Sequence, residues 1–246
     1  MKIFNKILLI SLMLLISCAI FSVPSASALS PMPYQNGDSI KADFDAVYYF
    51  THGYRFTFPQ DKFYFTWHED FSDVVHISNE ELAQIPLVGN IIVRPGTKLV
   101  KIQSIPTVYA VSRNGELYPI ENEEVAIKLF TENWSGRVID IQDSFWFDYT
   151  DMSFFENIDP LDGTWYPDGF LLQAEGSEDV YLIWGGMKRL FVSEESFEAN
   201  GLNREDICMT TLEILDSYVE GDNIEGYEFE LADDTQGLIP VPAPTE

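Results

Sequence analysis

The stretch EDVYLIWGGMKRLFVSEESF, residues 178–197, contains the pattern that decides the fold. Its apolar run VYLI combines β-branched and aromatic residues, which is typical of a strand buried on both faces. Gly185 and Gly186 then favour a tight hairpin turn, because glycine adopts the positive φ angles that such turns need. A second strand and a helix start complete the pattern. The stretch therefore predicts one strand–hairpin–strand–helix unit.

The same pattern occurs twice upstream. AVYYFTHGYRFTFPQDKF at residues 46–63 and TVYAVSRNGELYPIENEEV at residues 107–125 both begin with Val-Tyr after one residue, and both contain a turn glycine. A single unit has few residues with which to bury its apolar face, so neighbouring copies must bury it for one another. We therefore predict a β-rich α+β fold of three related strand–hairpin–strand–helix repeats, either stacked or propeller-like.

Helix starts can be placed inside these copies. Ser78 and Thr210 each precede a glutamate by three positions, which is the spacing of a capping box. Asn122 is a favourable cap for a helix in the second copy. The second copy has no later capping box, and its segment QDSFWFDYT at residues 142–150 is predicted to be a strand.

The copies are separated by segments of different composition. Residues 150–169 are rich in Asp, Pro and Gly, as expected of a connector that tolerates insertion. The predicted organisation is a signal peptide at 1–28, a lead-in at 29–36, repeats at 37–95, 96–149 and 170–232, the connector at 150–169, and a disordered acidic, Pro-rich tail at 233–246.

The amino terminus has the features of a secretory signal peptide. Lys2 and Lys6 precede an apolar run at residues 7–21, and a small-residue site favours cleavage after Ala28. An alternative is a lipoprotein box, LISC, in which Cys18 would be acylated. A retained membrane anchor is a further alternative, although the run is short for one. We expect an extracellular or cell-surface location after export.

The charge of the chain limits its partners. It carries 14 Lys and Arg residues against 40 Asp and Glu residues, a net charge of −26. Removal of Lys2 and Lys6 with the signal peptide leaves 12 basic residues and a net charge of −28. Nucleic acid and anionic lipid both attract a positively charged surface. We therefore expect no nucleic acid partner, and membrane contact only through the signal peptide or a lipid anchor.

No catalytic motif is present. Cys208 is the only cysteine left after the signal peptide, and its apolar neighbours predict a buried residue that forms no internal disulfide. A metal site made of His68, Asp70 and His76 is conceivable, but their spacing matches no zinc motif. Histidines satisfied at the surface or in turns are the expected alternative.

Two groups of side chains are candidate binding sites. Loop aromatics on a rigid scaffold often bind ligands, and Trp165, Tyr166 and Trp184 are predicted to be exposed and to stack against a glycan. Calcium prefers hard oxygen ligands in a bent loop. The candidate calcium ligands in the connector are Glu156, Asp159, Asp162 and Asp168. The alternatives are packing aromatics and a solvated connector.

The copies also carry a family resemblance. VYLIWGGMKR at residues 180–189 resembles modules appended to bacterial cell-wall hydrolases and other secreted enzymes. Residues 37–149 resemble a repeat of exported proteins from candidate-phylum bacteria. The first copy departs from the basic turn at residues 54–56, YRF, and the second replaces it with ELY at residues 116–118. The resemblance implies an accessory or surface role without catalytic residues.

These observations predict an exported, non-catalytic repeat module of the cell envelope or the extracellular space that binds a protein or a glycan. One alternative is a cell-wall hydrolase whose site is assembled across repeats. The other is a structural spacer.

Overall fold

The structure is a computed structural model that describes residues 33–154 and 159–228. The predicted signal peptide with Cys18, the first half of the lead-in, Glu156 and the tail lie outside the described residues. Strands are the main regular elements, and the helices are short. None of the helices in the described part of the chain has the length and apolarity needed to cross a membrane.

The first sheet has five strands. They are β1 Ser39–Lys41, β2 Tyr48–Thr51, β3 Tyr54–Thr57, β4 Val75–His76 and β5 Leu87–Asn90, in the order β4-β1-β2-β3-β5. Strands β1, β2 and β3 form an antiparallel meander. The two later strands add to its edges, β4 parallel to β1 and β5 parallel to β3.

The second sheet repeats this arrangement. Its strands are β6 Leu99–Ile102, β7 Tyr109–Val111, β8 Glu116–Pro119, β9 Val138–Ile141 and β10 Thr150–Asp151, in the order β10-β8-β7-β6-β9. The outer strands β9 and β10 again run parallel to their neighbours. Strand β10 lies in the first two residues of the segment that composition marked as a connector.

The third sheet has the same topology. Its strands are β11 Leu171–Ala174, β12 Val180–Trp184, β13 Met187–Leu190, β14 Cys208–Thr210 and β15 Val219–Glu220, in the order β14-β11-β12-β13-β15. Strands β14 and β15 are parallel to β11 and β13. We call each sheet with its own helices a unit.

The Val-Tyr pairs occupy the same place in all three sheets. Tyr48, Tyr109 and Tyr181 each lie in the central strand and pair with an apolar residue of the first strand. Those partners are Ile40, Val100 and Leu172. The prediction of a β-rich fold with three similar units is confirmed. No strand pairing among the described residues joins one sheet to another, so the sheets do not close into a barrel.

The predicted glycine hairpin is present between β12 and β13. Gly185 and Gly186 have φ angles of 63° and 70°, which L side chains rarely adopt. The Asp168 carboxylate accepts hydrogen bonds from both of their amides, at 2.7 and 2.9 Å. In the first unit, Asn36 Oδ1 accepts from the His52 amide at 2.7 Å, at the corresponding hairpin turn. In both units, a side chain from the segment that precedes the sheet therefore holds the hairpin turn.

Five short α-helices connect the strands. They are α1 Asp61–Tyr64, α2 Asn79–Gln84, α3 Glu123–Phe130, α4 Glu194–Glu198 and α5 Leu212–Asp216. The predicted caps of two of them are confirmed. Asn122 accepts from the Val125 amide at 3.0 Å, and Ser78 accepts from the Glu81 amide at 3.1 Å. Each bond satisfies an amide that the first helical turn leaves without a partner.

Two predictions of local structure are wrong. Helix α5 is capped by Thr211 rather than Thr210, because Thr210 pairs with Ala174 in the sheet and is buried. Residues Asp143–Asp148 form 3₁₀ turns rather than a strand. These turns bring Trp146 edge-on to Tyr109, with ring centroids 5.0 Å apart. The alternating pattern that predicts a strand does not reveal this contact.

Neighbouring units share apolar cores. Phe63 of α1 lies in one buried cluster with side chains of the second sheet, such as Val100 and Leu117. In the same way, Leu129 of α3 lies in a cluster with Cys208 and other side chains of the third sheet. The predicted burial of Cys208 is therefore confirmed. Each fully buried side chain of Leu or Phe size contributes about 1.5–3 kcal/mol.

The segments that precede the second and third sheets touch directly. A Cβ atom on Gly96 would lie 2.0 Å from the Gly169 carbonyl oxygen. Gly96 also has a φ angle of +75°, a conformation that favours glycine. This contact places residues 94–97 beside the start of the third sheet, where the candidate site is found.

Candidate functional site

A cleft of about 520 Å³ is lined by three segments that are far apart in sequence, together with Gly169 and Leu171. Residues 65–73 follow α1 in the first unit, and residues 198–206 begin at the end of α4 in the third. Residues 94–97, before the second sheet, lie between the other two in sequence and also line the cleft. A concave site with titratable groups and aromatic side chains is the usual form of a binding site.

The segment after α1 is organised around the Tyr64 ring. The rings of Phe71 and His68 both stack on the Tyr64 ring, with centroid distances of 4.3 and 4.8 Å. The Tyr64 hydroxyl donates to the Asp70 carbonyl at 2.7 Å. Phe65 packs edge-on against Phe71 at 5.3 Å. Tyr64 is buried, whereas Phe65 and Phe71 are each 49% exposed. The two phenyl rings are therefore fixed in place and accessible to solvent.

Arg94 links the segments around the cleft. Its guanidinium donates to the carbonyls of Gly201 and Asn200, at 2.5 and 3.1 Å. It also lies over the Trp67 ring, with Cζ 5.4 Å from the centroid. Its backbone amide donates to Thr66 Oγ1 at 2.9 Å. Because Arg94 is 6% exposed, its charge serves mainly to hold the end of α4 against the first unit.

His68 lines the cleft as a neutral imidazole. Burial, and then the positive charge of Arg94, lower the pKa of His68 to about 4. Its Nε2 atom forms a 2.9 Å hydrogen bond with Ser39 Oγ. A serine–histidine pair is the arrangement of an activated nucleophile. Ser39 is 2% exposed and does not line the cleft, so this bond orients the imidazole instead.

Carboxylates dominate the charge of the cleft. Glu69, Asp70 and Asp73 are exposed lining residues from the first unit, and Glu198 is one from the third. Asp206 is the more buried of the lining acids. Burial raises the pKa of its carboxyl group, while Lys98, Arg137 and Arg94 act in the opposite direction. Lys98 Nζ lies 3.8 Å from Asp206 Oδ1.

A second cavity, of about 710 Å³, lies beside the second unit. Its lining includes Pro106, Pro160 and Trp134, and its acidic lining residues are the exposed Glu121 and Glu123. It brings together no buried titratable group. The first cleft, which combines aromatic, imidazole and carboxylate groups, is therefore the candidate functional site.

The predicted aromatic platform is not formed as a unit. Tyr166 is 1% exposed, and its hydroxyl donates to the Leu129 carbonyl at 2.7 Å. Trp165 is partly buried and packs edge-on against Tyr118 at 5.3 Å. The expected exposure of Tyr166 is therefore wrong, because the ring fills the core between the second and third units and its polar tip is satisfied there.

Trp184 is also partly buried. The Arg113 guanidinium lies over its ring, with Cζ 3.4 Å from the centroid. This cation–π contact joins the hairpins of the second and third units. One face of the Trp184 ring is therefore occupied by the protein itself.

Two of the predicted calcium ligands form hydrogen bonds within the protein. Asp162 accepts from the amide and the hydroxyl of Thr164, at 2.9 and 2.6 Å, and Asp168 holds the third hairpin turn. Asp159 is exposed, and Glu156 lies outside the described residues. Within residues 33–154 and 159–228, no three His, Cys, Asp or Glu side chains form a group that could hold a metal ion. His76, the distant member of the conceivable histidine site, is exposed on β4 and does not line the cleft.

Comparison of the chain with models of protein families, with curated proteins and with solved structures finds no match.

Proposed function

We propose that the protein is an exported, non-catalytic module of the cell envelope or extracellular space, and that it binds another protein through the cleft. The observation that carries this proposal is a pair of exposed rings in contact with each other: Phe65 lines the 520 Å³ cleft, and Phe71 packs against Phe65. Exposed aromatic side chains in a fixed position are typical anchors of protein interfaces. The charged residues and apolar run before Ala28 support export.

A protein ligand is favoured over a glycan. Glycan stacking was expected at three aromatic side chains, of which Tyr166 is buried and Trp184 has Arg113 over its ring. The exposed ring that lines the cleft, Phe65, and its neighbour Phe71 are phenyl groups, which carry no hydrogen-bonding atom for sugar hydroxyls. Apolar rings next to carboxylates fit a polypeptide, which offers apolar and charged side chains in alternation.

We also propose that the three units are copies of one repeat, stacked in the order of the chain. The shared strand order supports this, as does the way in which α1 packs on the second sheet and α3 on the third. The resemblance of residues 180–189 to modules of exported bacterial proteins agrees with an accessory role.

A peptide array tests the function. The chain from residue 29 is probed against tiled peptides of envelope and secreted proteins and against a glycan array. Peptide hits that are lost in Phe65→Ala/Phe71→Ala, and kept in Phe44→Ala/Phe147→Ala, support the proposal. The control removes two phenyl rings that are 64% and 90% exposed elsewhere. Hits confined to glycans would replace the protein ligand with a sugar.

A cell-wall hydrolase is the second candidate. The observation that favours it is the raised pKa of Asp206 in a cleft lined by other carboxyl groups, since general acids of glycosidases have a raised pKa. Release of soluble fragments from peptidoglycan by the wild type, abolished in Asp206→Asn, would establish this activity and displace the binding role.

The route of attachment is tested separately. Mass spectrometry of the mature amino terminus distinguishes cleavage after Ala28 from acylation of Cys18. We propose cleavage and release, because the apolar run continues past Cys18.

A further inference from the structure

The exposed ring pair has the properties of a docking surface. Phe65 and Phe71 contact each other, and Phe71 also stacks on the buried Tyr64. Because these contacts hold the rings in one arrangement, a partner that covers them loses little side-chain entropy from this side. Contiguous exposed apolar side chains, in contrast to single scattered ones, are a feature of interaction sites.

The exposed charged side chains in the segment that carries the rings are all acidic. Glu69, Asp70 and Asp73 belong to the same segment, and Asp206 lines the cleft from the third unit. Arg94 is the single Lys or Arg among the described lining residues, and it donates to backbone carbonyls. The cleft therefore offers hydrogen-bond acceptors and negative potential to a ligand.

The positive groups near the cleft do not cancel this potential. Lys98 Nζ lies 3.8 Å from Asp206 Oδ1, and only 34% of the Lys98 side chain is exposed. Arg204 pairs with Glu194, which does not line the cleft. His68 is neutral above a pH of about 4. The net charge of −26 for the whole chain acts in the same direction and accelerates the approach of a basic partner.

We propose that the segment that docks in the cleft is basic. Its apolar side chain covers Phe65 and Phe71, and an adjacent Lys or Arg side chain reaches the carboxylates of Glu69 and Asp73. This inference rests on the proposed function, since it specifies the chemistry of the protein that the same cleft binds. It follows from charge complementarity at a fixed aromatic surface.

Two labelled hexapeptides test the inference by fluorescence anisotropy. One alternates Lys and Leu, and the other alternates Glu and Leu, so that they differ only in charge. We expect the lysine peptide to bind at least about tenfold more tightly than the glutamate peptide, because like charges next to each other are repelled. Its affinity should fall severalfold between about 0.05 and 0.5 M NaCl as the charges are screened.

Matched variants locate the binding. Phe65→Ala/Phe71→Ala should lower the affinity for the lysine peptide by about tenfold or more, as expected for central aromatic anchors. Glu69→Gln/Asp73→Asn should lower this affinity by about fivefold and should make it less dependent on the NaCl concentration. The controls are Phe44→Ala/Phe147→Ala and Glu132→Gln/Glu178→Gln, which remove equal numbers of exposed rings or charges elsewhere.

The outcomes separate the inference from the function on which it rests. If the glutamate peptide binds as tightly as the lysine peptide, and both lose affinity in the aromatic variant, the cleft binds polypeptide but its partner is not basic. If neither peptide binds, both the inference and the proposed function are overturned. If the remote controls weaken the lysine peptide as much as the cleft variants do, attraction to the acidic chain as a whole explains binding and the docking site is wrong. Should the aromatic variant fail to fold, the exposed charge variant and its control decide alone.

Discussion

Arg94→Ala should destabilise the protein by about 3–5 kcal/mol, because the arginine is the link between the cleft and the end of α4. Its guanidinium donates two hydrogen bonds, at 2.5 and 3.1 Å, to the Gly201 and Asn200 carbonyls. A hydrogen bond to a charged group contributes about 1.5–3 kcal/mol, and a buried carbonyl left without a partner adds to the loss. The contact with the Trp67 ring contributes about 0.5–2 kcal/mol more. Water that enters the vacated space recovers part of the sum.

Urea unfolding followed by tryptophan fluorescence and by far-UV circular dichroism measures this loss. Arg204→Ala is the matched control, since its guanidinium pairs with Glu194 while 52% of its side chain stays exposed. An exposed ion pair contributes about 1 kcal/mol or less, so the control should change little. Arg94→Lys should lie between the two, because an ammonium group cannot reach both carbonyls with the fixed fork of a guanidinium.

The comparison between the two arginines decides the interpretation. If Arg94→Ala loses no more free energy of unfolding than Arg204→Ala, the segment at residues 200–201 is held by other contacts. The cleft would then not depend on Arg94, and the account of how its two sides are joined would be wrong. A loss confined to one spectroscopic probe would indicate that the third unit unfolds separately.

Three further predictions follow from single positions. Gly96→Ala should lower the free energy of unfolding in urea by about 2–4 kcal/mol, because the new Cβ would lie 2.0 Å from the Gly169 carbonyl oxygen and the φ angle is +75°. The control Gly136→Ala, where a Cβ would enter open space, should change it by no more than about 0.5 kcal/mol. Cys208 should not react with a thiol reagent at pH 8 until urea is added, because burial raises the pKa of its thiol to about 11; rapid labelling of the native protein would contradict this. The pKa of His68 is about 4 in the folded protein and returns to its ordinary value of 6.5 on unfolding. Between these pH values the unfolded state binds more protons, so the free energy of unfolding should fall as the pH drops from about 6.5 to 4. His68→Gln should remove that slope, and an unchanged slope would refute the assignment.

The fold was predictable to the extent that it is local. Gly185 and Gly186 specify a hairpin turn through their own backbone conformations, and Asn122 specifies the start of α3 through a bond to an amide three residues away. Repetition then carried each local prediction to the other units. The wrong predictions concern residues whose structure depends on tertiary contacts. Thr210, for example, pairs with Ala174 in the third sheet and does not cap α5.

One correspondence was present in the sequence and was missed. Arg55 and Lys188 each follow the motif tyrosine by seven residues. Both lie in the strand after the hairpin, and their cations lie 4.8 and 5.7 Å from the rings of Tyr48 and Tyr181. The basic position at which the first copy was thought to depart from the pattern is therefore kept, because the same cation–π contact is made in both units.

The candidate site was not predictable, because no short segment contains it. Phe65 and Asp206 line one cleft although they are far apart in the chain. Sequence patterns also cannot show which way an aromatic loop residue points. Tyr166 follows a connector-like segment, yet its ring is buried between units and its hydroxyl is satisfied by the Leu129 carbonyl.

The cleft requires more than one unit. Residues 65–73 and 198–206 stand at corresponding places, each after the helix that follows the hairpin of its unit. A single unit contributes one such segment and cannot enclose a cleft with it. Arg94, which precedes the second sheet, contacts Trp67 of the first unit and donates to the Gly201 and Asn200 carbonyls of the third. The three units therefore do more than cover one another's apolar faces, since the cleft forms only where segments of the first and third units meet beside residues 94–97.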